Sequence, residues 1–402
     1  MENRLLHTPE GVRDIYNQEC ERKQVIQNKL FEVLKQYGYQ AIETPTFEYF
    51  DVFSREVGTT ASKELYKFFD RDGNTLVMRP DFTPSIARSA AKYYSDEDMP
   101  IRFGYMGNTF INHLSHQGKL REVTQLGAEL IGDDSVNADA EIVALMIRCL
   151  KTSGLKEFQV SIGHLDFFKG LLEAANLDEE VELQLRELIS VKNHFGIEEL
   201  LSKYDVSKDI KECLSKLPEL FGSAEMLQEV KKMPLNERSM KAVNRLEAIY
   251  EAIKVYGEED YITFDLGIVS KYNYYTGVIF KAYTYGVGEA IISGGRYDTL
   301  LKHFGKDAPA IGCVLLVNQL LAALSRQKIE IETCNDNVLM IYETDALTES
   351  IRNAEEMRGD GMKVALLERK KDKTLEEYVS YGKRNNFNTI YHVTTEGKVE
   401  QE

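Results

Sequence analysis

The stretch Gln125-Leu126-Gly127-Ala128-Glu129-Leu130-Ile131-Gly132 sets two polar side chains into an otherwise apolar run. On a β-strand, side chains alternate between faces, so Gln125 and Glu129 fall on the same side. Glu129 lies between Ala128 and Leu130, which fits a strand whose polar face lines a pocket; a solvated strand face is the plainer alternative. The wider segment 101–132 holds two apolar runs around a polar centre, Asn112 to Gly118. That order predicts two antiparallel strands joined by a long loop.

Upstream, Val25, Ile26, Leu30, Phe31, Val33 and Leu34 recur near helical spacing, and Gly38 suits the end of that helix. Ala41 to Pro45 reads as a short strand broken by proline. Leu65–Phe69 and Thr75–Met78 flank Asp70-Arg71-Asp72-Gly73-Asn74, a hairpin turn by its chemistry. A helix is predicted over 82–94, and another over 137–153.

Downstream, about 165–260 is helical throughout and reads as an insertion, with turn signals near Asn176, Gly196 and Pro234. Strand-like sequence returns over 261–294, followed by a Gly-rich turn and an apolar helix over 310–325. Residues 326–336 are polar and read as a linker. The last 68 residues, 335–402, alternate strand and helix and predict a small parallel α/β unit.

Composition narrows the function classes. The 402 residues carry 49 Lys and Arg against 65 Asp and Glu, a net charge of −16, which disfavours non-specific nucleic-acid binding. No apolar run approaches the length of a membrane span, and Met1 to Pro9 lacks the pattern of a secretory signal. Cys20, Cys149, Cys213, Cys313 and Cys334 are odd in number and form no paired motif. Most read as small buried residues, and the set points to a reducing cytoplasm with neither a disulfide framework nor a structural zinc site.

Six segments carry a resemblance when taken together and in order: Gly11-Val12-Arg13-Asp14, Glu43-Thr44-Pro45, Met78-Arg79-Pro80-Asp81-Phe82-Thr83-Pro84, Gln125 to Gly132, Tyr274-Tyr275-Thr276-Gly277, and Ser293-Gly294-Gly295-Arg296-Tyr297-Asp298. Over residues 5–325 the chain resembles histidyl-tRNA synthetase and its non-catalytic relatives, the regulatory subunits of ATP phosphoribosyltransferase. The resemblance implies an α+β fold: a class II aminoacyl-tRNA synthetase-like antiparallel sheet flanked by helices, self-dimerised through the core near Pro45. The predicted organisation is a core over 1–325 with its helical insertion at about 165–260, and a small C-terminal α/β domain over 335–402.

The branch is decided by missing cations. Adenylate formation needs Arg or Lys clamps on the triphosphate and at the reacting phosphorus. The resemblance places an arginine in three motifs. The chain has Ile111 in Phe110-Ile111-Asn112-His113, Ser270 in Ser270-Lys271-Tyr272-Asn273-Tyr274-Tyr275, and Leu315 in Gly312-Cys313-Val314-Leu315-Leu316. Each lost clamp costs about 3 kcal/mol, or about a hundredfold in rate. No catalytic residue is therefore assigned.

The amino-acid pocket implied by the resemblance is kept. Asp81 and Thr83 would receive an α-ammonium, Gln125 the ammonium or carboxylate, and Glu129 with Tyr274 or Tyr275 an imidazole. Asp81 and Thr83 also suit a helix cap. On a strand, Tyr274 and Tyr275 point to opposite faces, so one contacts ligand and the other is core. The Gly294–Asp298 turn is expected to line the pocket. His113 and His116 read as ordinary loop histidines, Arg369 to Lys373 as a solvated turn, and neither a metal nor a cofactor is expected.

The tail is short for an anticodon-binding domain and acidic: ten Lys and Arg against fourteen Asp and Glu over 335–402, a net −4. The expectation is a regulatory subunit for histidine biosynthesis, needed for activity and for feedback inhibition by histidine. Its partner would be a short-form ATP phosphoribosyltransferase catalytic subunit, in a hetero-octamer, with L-histidine as ligand and no tRNA role. An active synthetase with divergent motifs, or a stand-alone histidine-binding adaptor, are the alternatives.

Overall fold

The apolar periodicities resolve into two compact units, Met1–Ile331 and Glu332–Glu402. The structure, a computed structural model, describes residues 4–53, 60–113, 119–268, 274–333 and 337–402. Ser270 and Lys271, the loop residue His116, and Cys334 and Asn335 in the predicted linker and tail lie outside the described residues.

In the larger unit, helix α1 (Asn17–Gln36) buries Ile26, Leu30, Val33 and Leu34 along one stripe. Strands β1 (Gln40–Ala41) and β2 (Phe47–Tyr49) follow, then β3 (Lys67–Phe69) and β4 (Thr75–Met78), which pair across the predicted turn. Next come α2 (Thr83–Tyr93), β5 (Ile101–Phe110), β6 (Glu122–Ile131) and α3 (Val136–Thr152), the last capped by the Ser135 hydroxyl. Strand β7 (Phe158–His164) leads into the insertion: α4 (Leu165–Ala175), α5 (Glu179–Ser190), α6 (His194–Ser202), α7 (Lys208–Lys216), the short β8 (Phe221–Gly222), α8 (Ala224–Val230) and α9 (Glu237–Tyr256). The chain then returns through β9 (Ile262–Asp265), β10 (Val278–Thr284), β11 (Ile292–Arg296), β12 (Ala310–Leu316) and α10 (Val317–Arg326).

Nine of these strands form one sheet in the order β1-β5-β6-β12-β11-β10-β7-β9-β8, antiparallel from β5 through β7. β2, β4 and β3 form a separate small sheet. The large sheet has two unlike faces. Leu126, Ala128, Leu130, Ile311, Cys313 and Leu315 join residues of α1, α3 and α10 in the main hydrophobic core. On the other face Phe103, Tyr105, Tyr297 and Ala310 pack with Phe82 and Ile86 near and in α2. Gln125 and Glu129 project to this second face, because they sit one step out of phase with Leu126 and Leu130.

Four expectations are corrected. The apolar stretch 310–325 is not one helix: Ala310–Leu316 is the central strand β12, and the helix begins at Val317. A strand covered on both faces loses the polar alternation that marks strands, so periodicity does not separate it from a buried helix. The turn expected over Gly294–Asp298 is instead mostly strand, since β11 runs through Arg296; β7, which pairs with β10 along its whole length, was not anticipated. Tyr274 and Tyr275 lie in a turn and not on a strand, so the opposite-face expectation does not hold there.

The smaller unit has β13 (Asn337–Tyr342), α11 (Leu347–Gly359), β14 (Lys363–Glu368), α12 (Leu375–Arg384), β15 (Thr389–Val393) and β16 (Val399–Gln401). The order β14-β13-β15 is parallel, and β16 adds an antiparallel edge. Val338 and Met340 bury against Ala354 of α11, while Leu339 and Ile341 bury against Tyr378 of α12. Alternate residues of one strand thus serve helices on opposite faces. The basic run is not wholly a solvated turn. Arg369 Nε donates to Glu343 Oε1 at 2.6 Å, which His392 Nε2 also contacts at 3.0 Å, while Lys370, Lys371 and Lys373 are exposed.

Candidate functional site: an acid-floored pocket without cations

Strands β6, β11 and β12 and the start of α2 converge on a pocket of about 60 Å³, roughly four times the minimum for one water. Its lining includes Asp81, Thr83, Gln125, Glu129, Tyr274 and Tyr275, so the structure brings all six expected residues together. Thr60, Pro80, Ile111, Ser293, Tyr297, Gly312, Cys313 and Val314 complete it.

Glu129 is the floor. Its carboxylate is 1% exposed and accepts two hydroxyls: Thr83 Oγ1 at 2.8 Å on Oε1, and Tyr297 Oη at 2.5 Å on Oε2. Two glycines make room for this arrangement. Gly312 sits opposite Glu129 on β12, and a Cβ there would collide with Glu129 Oε2. Gly127, opposite Tyr105, leaves space for the Tyr105 ring, which stacks on Phe82 at 4.5 Å.

Burial pushes the Glu129 carboxyl up to about 8; the Tyr297 and Thr83 hydroxyls oppose that rise and the Asp81 charge adds to it. Burial, with the Glu129 charge second, also holds the Tyr297 phenol well above its ordinary range. Around neutral pH the unliganded pocket therefore favours a neutral Glu129. A cationic ligand nearby would draw the proton off, because an opposite charge stabilises the carboxylate.

Gln125, four residues before Glu129 on the same strand face, is buried, and its Oε1 has no hydrogen-bond partner in the described structure. An unpaired buried amide oxygen costs about 1–3 kcal/mol, which a donor on a bound ligand would recover. Asp81 sits at the start of α2 and in the pocket wall. Its Oδ1 accepts the Phe82 N–H at 2.7 Å and the Thr83 N–H at 3.5 Å. Tyr274 and Tyr275 both line it too, their rings 4.6 Å apart, and Tyr274 meets Tyr297 edge-on at 5.8 Å.

The three expected cation positions separate. Ile111 lies in the pocket wall. Ser270 is outside the described residues. Leu315 is buried in the main hydrophobic core on the far face of β12, and Val314 is the neighbour that reaches the pocket. The absence of arginine at 315 therefore takes nothing from this pocket. The pocket's own chemistry carries the point instead: among the described lining residues none is Arg or Lys, while Asp81 and Glu129 are acids.

Tyr297 was not assigned to the site beforehand. Its signal was strand alternation within Gly294–Asp298. Tyr297 faces Glu129, while Arg296 points the other way, donating through Nε and Nη2 to Asp139 Oδ1 at 2.9 and 2.6 Å. Arg245 of α9 donates to the other oxygen of Asp139 at 2.8 Å. Asp298 is held by the Thr276 hydroxyl at 3.0 Å, which ties β11 to the Tyr274–Tyr275 turn.

Comparison with known proteins places the chain among relatives of shared sequence and fold. A sequence profile of the histidyl-tRNA synthetase family matches residues 11–320. The chain is 42% identical to the ATP phosphoribosyltransferase regulatory subunit of Acetivibrio thermocellus, over 89% of this chain and 86% of that one. It is 35% identical to the protein of the same name from Bacillus thuringiensis, over 98% and 93%. A crystal structure from Bacillus halodurans, described as an ATP phosphoribosyltransferase regulatory subunit/histidyl-tRNA synthetase, superposes with a TM-score of 0.87 at 32% identity, covering 97% of this chain and 98% of that one. Histidyl-tRNA synthetase from Nostoc superposes with a TM-score of 0.81 at 19% identity, covering 99% and 96%, a likeness of fold.

Proposed function

The chain belongs to the family of ATP phosphoribosyltransferase regulatory subunits, which share the histidyl-tRNA synthetase fold, and from that premise we propose how its pocket serves regulation. The role is non-catalytic, with catalysis in a partner ATP phosphoribosyltransferase subunit, and it belongs to histidine biosynthesis. The observation that carries this reading is the acid-floored pocket with no described Arg or Lys in its lining. A triphosphate needs cations at such a site. An amino acid with an ammonium group and a ring N–H needs acceptors, and Glu129, Asp81 and Gln125 Oε1 are acceptors.

The ligand we infer is L-histidine. Glu129 would accept from the imidazole N–H, with Tyr274 and Tyr275 against the ring; Asp81 and Thr83 would take the ammonium, and Gln125 the ammonium or carboxylate. Feedback inhibition requires that histidine bind one state of the complex more tightly than another, since a ligand shifts an equilibrium only by its differential affinity. The assembly we infer is a hetero-octamer with a short-form catalytic subunit, in the cytoplasm. Among the described residues, no helix is long and apolar enough to cross a membrane.

Reconstitution tests the reading. The short catalytic subunit should gain activity when this chain is added, and histidine should inhibit the mixture. Glu129→Gln should still support activity but lose most of the histidine inhibition. A catalytic subunit indifferent to this chain would overturn the reading. Inhibition unchanged by Glu129→Gln would remove the pocket from it.

A further inference from the structure

We propose that a second cavity, on the reverse face of β5 and β6, is a binding site for a small anion that also carries hydrogen-bond donors, anchored by Lys23. The cavity is about 420 Å³, within the range of small-molecule sites. Its lining includes Lys23 of α1, Asn108 of β5, Glu122 and Thr124 of β6, and Asn318 of α10.

These side chains are already ordered by one another. Lys23 Nζ donates to Thr124 Oγ1 at 2.7 Å, and that hydroxyl donates to Asn108 Oδ1 at 2.8 Å. Asn108 Nδ2 donates to Glu122 Oε1 at 2.6 Å, and Asn318 Oδ1 accepts the Thr124 N–H at 2.7 Å. Thr124 is 3% exposed, so the floor of the cavity is fixed from beneath.

Lys23 is the anomaly. Its half-buried ammonium spends one of its three donors on a neutral hydroxyl and forms no ion pair with any described residue. Desolvation lowers its pKa from the ordinary value. The other lining cation, Arg13, is engaged by Glu19 through both terminal nitrogens. A partly desolvated ammonium beside an open cavity gains from an anion, because an opposite charge stabilises the charged form that burial disfavours. Glu122 and Asp14, also in the lining, call for donors on the same ligand, either hydroxyls or an ammonium. Phosphate and carboxylate head groups share this chemistry. The site backs onto the first pocket, since Thr124 directly precedes Gln125, but it does not depend on what the first pocket binds.

The test is thermal-shift titration of the full chain with inorganic phosphate, glycerol 3-phosphate and glycine in parallel. At least one should stabilise the protein saturably, phosphate compounds alone pointing to a phosphorylated ligand and glycine alone to a zwitterion. Lys23→Met should weaken that response at least about tenfold, and Lys23→Arg should keep it. Glu129→Gln should leave it unchanged. Should Lys23→Met fail to fold, the ligand should protect Lys23 of the wild-type chain from amine acylation, read by mass spectrometry. Overturning results are no saturable response to any probe, an unaltered response in folded Lys23→Met, absent protection, or Lys23→Met weakening self-association in place of ligand binding.

Discussion

Tyr297 donates its hydroxyl to Glu129 across the sheet at 2.5 Å, and both side chains are buried. A phenol and the Thr83 hydroxyl on one carboxylate orient both of its oxygens, so Glu129 is placed before any ligand arrives. Preorganised acceptors lose little ordering entropy on binding.

Glu129→Gln removes the charge and keeps the shape. Histidine affinity measured by calorimetry should fall by about 1–3 kcal/mol. An unchanged affinity would exclude a direct contact at Glu129.

The proton balance at Glu129 is also measurable. Its folded-state pKa is raised from 4.5 to about 8, so between those values the folded chain holds a proton that the unfolded chain releases. The contribution of this group to stability is complete below about pH 4.5 and is lost as pH rises through about 8. Unliganded wild type should lose melting temperature over that window relative to Glu129→Gln. Histidine binding near neutral pH should release protons, seen as a calorimetric enthalpy that varies with the ionisation enthalpy of the buffer.

Gly312→Ala should be costly out of proportion to one methyl, because the added Cβ meets Glu129 Oε2. We expect a loss of about 1–3 kcal/mol in urea unfolding, together with weakened histidine binding. Gly288→Ala, where an added Cβ meets no heavy atom within 4 Å, is the control.

Asp139→Asn should destabilise the larger unit by about 1.5–3 kcal/mol in the same assay, because it takes the carboxylate from Arg245 and leaves the buried Arg296 only the Asp298 carboxylate, at 3.3 Å. The adjacent Tyr297 shares β11–β12 pairing with Arg296, so histidine affinity should fall as well.

Much of the pocket was legible because strand alternation is local. Gln125 and Glu129 are four residues apart and share a face wherever β6 is a strand. Asp81 and Thr83 were legible through the resemblance to histidyl-tRNA synthetases, while their place at a helix start suggested only a cap. The misses have nonlocal causes. Ala310–Leu316 is covered on both faces, so its strand character depends on partners far away in sequence. Tyr274 and Tyr275 meet in a turn held by Thr276 and Asp298, a tertiary contact that alternation does not encode. Leu315 was expected to mark a lost clamp, but its phase on β12 sends it into the core. Lys23 drew no attention as one lysine on a polar helix face; its missing ion partner is visible only in three dimensions.

The most direct measurement of the central claim is histidine-dependent exchange between ATP and pyrophosphate by the purified chain. The pocket described here, with acids at its floor and Ile111 in its wall, predicts no exchange above background while histidine still binds by calorimetry. Robust exchange would contradict a non-catalytic role.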